Sequence, residues 1–495
     1  MNPSIRQNKL NHYRRLLKRT PGLLEVSERA YERALSEEAS GVTQAQICAS
    51  MFVLGPVLFA FVSWVLKQAR EAGKRRLYFL SRDGWLMYLM ARQLCRTEPG
   101  FPESGSSKAD SSEADFPEAN SAEPPPLECR YLYASRYAWR IPEQHLIGKR
   151  SLERICRGGM HVTFADMMKR AGLTGEEAER IAAFACPGQR ADEVLSWSGI
   201  QRLKGPLSGC REFWELADER SRSRYGDTLG YLSQEGLLDD IPYALVDSGW
   251  IGTMQESLSH LLESAGYSRR VEGYYFGLYS LPRTADEKNF HGWYFEPASG
   301  TGRKAHFSNC LFECIFTAPH GMTMGYERAE GRWEPVLAGM HPENEAWVER
   351  QMRLFELYAQ ALSESLSKGR AGSLEEEAAA LRVRGLLGSL MSAPSPEEGE
   401  CFGSVSFSDD VTEERMRPLA ARLTQRQLLG HHPLPRLYLT LLPGKWKLAD
   451  SGWIEGSIRL YGGCLYGWHR AGALLYKYAL YARMRYGFRK GRKAA

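Results

Sequence analysis

The chain has 495 residues, with 64 Lys and Arg against 59 Asp and Glu. That length allows two or three domains and a large core, and a net charge of +5 is too small to mark a nucleic-acid binder. Charged residues at 25% and hydrophobic ones at 43% place the chain among ordinary folded globular proteins. The ten cysteines are scattered, with no Cys-x-x-Cys, and Cys310 and Cys314 lack a second metal-ligating pair. They read as reduced, buried thiols of a cytoplasmic protein.

The chain opens polar and basic, "MNPSIRQNKLNHYRRLLKR", with no secretory signal, and residues 1–43 read as a helical segment. Ile47 to Leu66 is a run of twenty uncharged residues, long enough to cross a bilayer. Gly55-Pro56 interrupts it, and almost no loop separates it from the next element. The reading is a buried core helix over 44–73, with a membrane span as the alternative. "LYFL" at 77–80 reads as a strand, Ser81-Arg82-Asp83-Gly84 as a tight turn, and 84–96 as a helix.

Residues 97–127, rich in Ser, Glu, Ala and Pro, cannot bury enough apolar surface to fold and read as a disordered insertion. "CRYLYAS" is a short strand ending at Ser135-Arg136, and 150–240 is a helical insertion. "PYALVD" at 242–247 is a strand, followed by the turn "SGWIGT" and a helix through about 264. "RRVEGYYFGLY" reads as another strand, "FHGWYFE" as short extended segments, and 308–317 as a helix leading into "APHGMTMGYE".

The core thus spans 44–335, and 336–495 is expected to be a helical C-terminal domain. Ser373 is read as the cap of the helix "SLEEEAAALRVRGLL". The last thirteen residues carry six basic side chains and no acidic one. They read as a solvated tail, with docking on an anionic membrane or an acidic partner as the sharper reading. "DSGWI" occurs at Asp247–Ile251 and again at Asp450–Ile454, but only the first copy follows a strand. The second is read as coincidence or a structural turn.

Three strand ends collect polar groups: Ser81-Arg82-Asp83-Gly84, Ser135-Arg136 and Asp247-Ser248. In a parallel sheet all three point to one edge, the edge at which open α/β sheets bind ligands. The start of the helix at Gly252-Thr253 offers free N–H groups and a positive dipole end, which favour an anion. Arg82 and Arg136 can neutralise a phosphate. Asp83 and Asp247 can hold Mg²⁺ together with phosphate oxygens. The expected phosphate set is Ser81, Arg82, Gly84, Ser135, Arg136, Gly252 and Thr253.

Taken together, "LYFLSRDGW", "YLYAS" and "YALVDSG" resemble motifs of the haloacid dehalogenase (HAD) superfamily of phosphohydrolases. More closely, the chain resembles the C-terminal part of large HAD-related proteins encoded among bacterial surface-polysaccharide genes. The residues carrying this likeness are Gly55-Pro56 with Trp64, "FLSRDG" at 79–84, Ser135-Arg136, "DSGWIGTMQ" at 247–255, and Glu313 with "APHGMTMGY" ending at Tyr326. The likeness covers about residues 45–330. It implies a Rossmannoid α/β core, magnesium as cofactor, and a phosphorylated sugar or nucleotide sugar as ligand. It also implies acid/base or substrate roles for Asp83, Asp247, Glu313 and His320. At position 81, where the family's first motif has a nucleophilic Asp, this chain has Ser, a weak nucleophile without an adjacent base.

The expected function is an HAD-like hydrolase, or a degenerate relative of one, linked to surface-polysaccharide synthesis. Two alternatives stand beside it. "VDSGWIGT" is a loose version of the ribose-phosphate loop of phosphoribosyltransferases. The missing nucleophile, the aromatic-rich middle and the basic tail also suit a non-catalytic scaffold for glycosyltransferases, cytoplasmic or membrane-peripheral.

Overall fold

The computed structural model describes residues 3–37, 42–96, 126–159, 161–408, 415–441 and 451–494. Most of the expected insertion at 97–127 lies outside the described residues. At the centre is a five-stranded sheet, every neighbouring pair parallel, in the order β2-β1-β3-β4-β5. The strands are β1 Arg76–Leu80, β2 Glu128–Leu132, β3 Tyr243–Trp250, β4 Glu272–Leu278 and β5 Phe290–Phe295. β1 lies between β2 and β3, with Leu80 beside Leu132 and Phe79 beside Val246. The three turns singled out in the sequence therefore end on adjacent strands at one edge. The fold is mixed α/β.

All five residues of β1 are buried, as expected of a parallel strand covered on both faces. Alternation sorts its side chains. Leu77 and Phe79, with Ala244, Val246, Tyr274 and Phe276, pack against the helix Gln44–Glu71 and its neighbours. Tyr78 and Leu80, with Tyr243 and Leu245, meet Leu258, Leu261 and Leu262 of the helix Thr253–Ser264.

The long apolar segment forms the continuous helix Gln44–Glu71, with a π-helical turn over Ser50–Leu54 just before Gly55-Pro56. Its most apolar stretch is 89% buried within the chain itself. Gly55 is why it packs so closely: a Cβ there would meet the Tyr358 ring at 2.5–2.7 Å. Tyr358 is fully buried and has no room to yield. Gly55→Val should therefore cost about 3 kcal/mol or prevent folding, measured as the midpoint shift in chemical denaturation.

The same hydrophobic cluster takes in Leu10 near the start of the chain and Trp453 near its end. One core thus joins the N-terminal helices Pro3–Leu17 and Pro21–Ser36, the sheet and the C-terminal helices. The stretch from Leu152 to Gln234 is built of helices and holds a separate small core around Phe164, Met167, Ile181, Leu207 and Phe213.

One local expectation is corrected, and one strand pair was not anticipated. The helix of 371–380 runs Ala371–Ala380, so Ser373 lies inside it and donates to the Arg370 carbonyl rather than capping. β6, Thr323–Ala329, begins within "APHGMTMGYE" and pairs antiparallel with an unforeseen β7, Arg332–Leu337. In the second "DSGWI", the described residues Ser451 to Ile454 form a turn into the helix Ile454–Tyr461. Trp453 is buried there and donates to the Met391 carbonyl.

Candidate functional site

Each candidate side chain is placed by the end of a strand. β1 ends at Leu80, and the turn Ser81-Arg82-Asp83 crosses into the helix Gly84–Arg96. Gly84 is tight there, since a Cβ would lie 3.1 Å from the Phe79 carbonyl carbon. β3 continues past Asp247 only because Gly249, at φ +104°, lets the backbone approach the Gly277 carbonyl. Trp250 follows in the left-handed region, at φ +72°. Its indole N–H donates to Glu313 Oε1 at 2.5 Å, and its ring packs among Tyr279, Phe295, Phe307 and Phe312. The helix Asn309–Ile315 thereby brings Glu313 to the edge of the sheet.

Asp83, Asp247 and Glu313 converge. The Ser248 hydroxyl donates to Asp83 and lies 3.5 Å from Asp247 Oδ1. Burial, then the charges of Asp83 and Glu313, push the Asp247 carboxyl up to about 8, although the N–H groups of Ser248 and Gly249 hold it down. Burial and the Asp83 charge push Glu313 up to about 7, against the pull of Arg136, the Trp250 hydrogen bond and Arg82. Three acids thus share a half-buried space with two arginines. Perturbation by burial plus a like charge at the end of a strand is the pattern of a functional site.

The hydroxyl groups expected on phosphate are committed elsewhere. Ser81 Oγ donates to the Ala134 carbonyl at 2.8 Å and accepts from the Ala134 N–H at 2.9 Å, tying β1 to the end of β2. Ser135 Oγ caps the helix Arg136–Ile147 by accepting from Ala138 N–H, and donates to the Thr323 carbonyl at 2.6 Å. Gly252, at φ +72°, makes room for Phe290 rather than for a ligand, since a Cβ would meet that ring at 2.6 Å. Thr253 accepts from Arg140 Nη2 at 2.6 Å.

His320 is fully engaged. Nε2 pairs with the Tyr131 hydroxyl at 2.7 Å and Nδ1 with the Gly321 carbonyl at 2.8 Å. Burial lowers its pKa, so it is a neutral anchor of the loop, packed against Trp85, Tyr131 and Tyr133. With Ser81 bridging two strand ends, Ser81→Ala should cost about 1–2 kcal/mol of stability. Ligand affinity should stay within about twofold, as a parallel titration of the two proteins would show.

Among the described residues, no group of three or more His, Cys, Asp or Glu is arranged to hold a metal ion. Magnesium commonly binds through one or two carboxylates, completed by water and ligand oxygens. Asp83 and Asp247 stand together as two carboxylates, with Asp247 raised first by burial and then by the Asp83 charge. A cleft of about 1270 Å³ lies elsewhere, lined by Trp64, Trp293, Arg382 and Arg470 among others, and contains none of these acids.

Sequence reasoning missed Arg140 as part of this site, and it singled out the stretch containing Ser248 and Trp250 without giving either side chain its role here. Arg140 carried one readable signal, its i,i+4 spacing from Arg136 on a helix. No model of a known protein family matches the chain, and no curated protein matches it.

Proposed function

We propose that the chain binds a phosphorylated sugar or nucleotide sugar with Mg²⁺ at the carboxyl edge of its sheet, as an HAD-like hydrolase that has lost the covalent step. The observation that carries this is the convergence of Asp83, Asp247 and Glu313 beside Arg82 and Arg136 at three adjacent strand ends. The sequence likeness to HAD-related proteins of polysaccharide gene clusters points to the ligand class and to a role in surface-polysaccharide synthesis.

Mg²⁺ held by Asp83 and Asp247 with water and phosphate oxygens would neutralise charge on the phosphate. Arg136 and Arg82 offset charge on the remaining oxygens. Glu313, pushed up to about 7, is poised as a general base near neutral pH. It takes a proton from water as the water oxygen bonds to phosphorus and the ester P–O bond breaks, and the leaving oxygen departs with its electron pair and takes a proton from solvent. No phosphorylated enzyme forms, because the Ser81 hydroxyl is committed to Ala134. The test is Mg²⁺-dependent release of phosphate or pyrophosphate from a panel of sugar phosphates and nucleotide sugars, with acid-quench trapping of any phosphoenzyme. Release without a trapped phosphoenzyme is expected. A stable phosphoserine, or no release and no binding across the panel, would overturn the reading.

The phosphoribosyltransferase alternative loses support at its own loop. Phe290 fills the space beside Gly252, and Trp250 turns into an aromatic cluster. The scaffold alternative, at a membrane surface or beside a glycosyltransferase, has one favourable observation. The helices Pro433–Leu441 and Tyr466–Ala494 leave Leu434, Leu437, Trp468, Leu475 and Tyr486 exposed on a strongly basic part of the chain. Apolar anchors among cations bind anionic interfaces. Co-sedimentation with vesicles containing 30% phosphatidylserine, but not with neutral vesicles, is expected, and Leu434→Glu with Leu437→Glu should reduce it severalfold.

A further inference from the structure

Next to the acidic cluster stands a cationic one, of which the proposed hydrolysis uses only Arg136. Arg136 and Arg140 are four residues apart on the helix Arg136–Ile147, where like charges face each other and repel. Arg157 joins them from the helical insertion, just after the helix Leu152–Ile155. The charges of Arg136, Arg154 and Arg157 all bear on Arg140, and that of Arg136 on Arg157; the Arg140 pKa is lowered, with burial the larger cause.

Neighbouring acids do not balance the group. Arg154 is held by Glu143 and Glu256, and Glu143 is also engaged by His260 Nδ1 at 2.5 Å. The side chains of Arg136 and Arg157 make no ion pair or hydrogen bond among the described residues, and both residues are exposed. Arg140 spends one N–H on Thr253, at the start of the helix Thr253–Ser264. Its Nε is buried with no partner at all. A buried guanidinium N–H without an acceptor is costly unless something supplies one. Arg136 also acts on Glu313, so the cationic cluster adjoins the acidic one.

We propose that Arg136, Arg140 and Arg157, with the opening turn at Thr253, form a second anion subsite, so that the site takes a diphosphate ester rather than a monophosphate. This rests on the phosphate-binding reading above and narrows its ligand class to nucleoside-diphosphate sugars and related diphosphates. One phosphate lies at Asp83 and Asp247 with the metal. The other lies across the guanidinium groups, which match phosphate oxygens in bidentate geometry. Arg157, coming from the insertion, adds its charge beside the second phosphate and gives the helical insertion a role in ligand selection.

The test is calorimetric titration of the full chain with inorganic phosphate, pyrophosphate and UDP-glucose, each with and without Mg²⁺. Wild type should bind pyrophosphate and UDP-glucose at least tenfold more tightly than phosphate. Arg157→Gln, an exposed change that spares folding, should remove most of that preference and leave Mg²⁺-dependent phosphate binding intact. Arg140→Lys should do the same while keeping the charge, because an ammonium cannot replace the buried Nε–H. Asp83→Ala should remove the Mg²⁺ dependence yet keep the preference for two phosphates, so the metal reading and the subsite fail separately. Equal affinity for phosphate and pyrophosphate, or wild-type preference in Arg157→Gln, would overturn the subsite. UDP-glucose bound no better than uridine would overturn the choice of a diphosphate ester.

Discussion

Asp83→Ala is expected to weaken Mg²⁺-dependent binding of a sugar phosphate by a hundredfold or more, and to strengthen metal-free phosphate binding severalfold. The two effects have opposite sign for one reason. Without a metal, Asp83 is a negative charge beside Asp247 and Glu313, raising both, and it repels an incoming phosphate. With a metal, the same charge would hold the cation that attracts the phosphate. An interaction of one unit charge at about 4 Å and intermediate polarity is worth about 4 kcal/mol, and part of that survives solvent access. A merely structural Asp83, serving only as acceptor for Ser248, would weaken binding equally with and without the metal. Titrations in Mg²⁺ and in EDTA therefore separate the two roles. Turnover, where present, should fall with the metal-dependent affinity.

The second large effect is on stability. The folded chain should lose about 3 kcal/mol between pH 5 and pH 8.5 in the absence of divalent metal, and Asp247→Asn should abolish most of that loss. Asp247 is raised from its ordinary 3.8 to about 8, and Glu313 from 4.5 to about 7. An acid whose pKa is higher in the folded state binds protons more readily folded than unfolded. Stability then falls as pH rises, from the ordinary carboxylate range up through the folded-state values. The contribution is fully present below about pH 4 and gone above about pH 8. Asparagine carries no charge at any pH, so Asp247→Asn should melt several degrees higher than wild type at pH 8 and close to it at pH 5. Mg²⁺ should raise wild-type stability at pH 8 and leave Asp247→Asn nearly unchanged. Melting curves at the two pH values, with and without the metal, decide it.

How much of this could be read from residues alone follows from the kind of signal each left. The run of Leu77 to Leu80 before Ser81-Arg82-Asp83-Gly84 identifies a buried strand and its turn, and the structure places both within one residue. The convergence of the 81–84, 135–136 and 247–248 turns followed from parallel pairing alone. The hairpin of β6 and β7 was missed because β6 lacks clear alternation. Yet Glu330-Gly331, both with positive φ, is a two-residue turn of the sort that joins hairpin strands. The fates of Ser81 and Ser135 were not legible. A serine at a strand end has one short hydroxyl, and whether it reaches a ligand or a neighbouring carbonyl depends on chain 53 or 188 residues away. Glu313 was picked out from a resemblance; its hydrogen bond to Trp250 crosses 63 residues and left no local pattern. Arg157 escaped notice because only the packing of the insertion brings it to Arg136 and Arg140.

The glutamine at the end of "DSGWIGTMQ" has a structural explanation that a motif alone does not offer. Gln255 accepts from the Tyr275 hydroxyl at 2.5 Å and donates to the carbonyls of Val271 and Asn289. It locks the helix Thr253–Ser264 to β4 and its neighbour, and so fixes the position of the turn that carries Asp247. The buried amide of Gln255 thus helps hold the charged residues of this stretch in register.

The central claim is that Asp83 and Asp247 hold a divalent cation in contact with a phosphate ligand. Electron paramagnetic resonance of added Mn²⁺ at pH 8, with and without a sugar phosphate, tests it most directly. The account predicts one bound ion per chain, tightened by the sugar phosphate and lost in Asp83→Ala and in Asp247→Asn. Mn²⁺ that stays free at every ligand concentration, or that binds equally well after both substitutions, would contradict it.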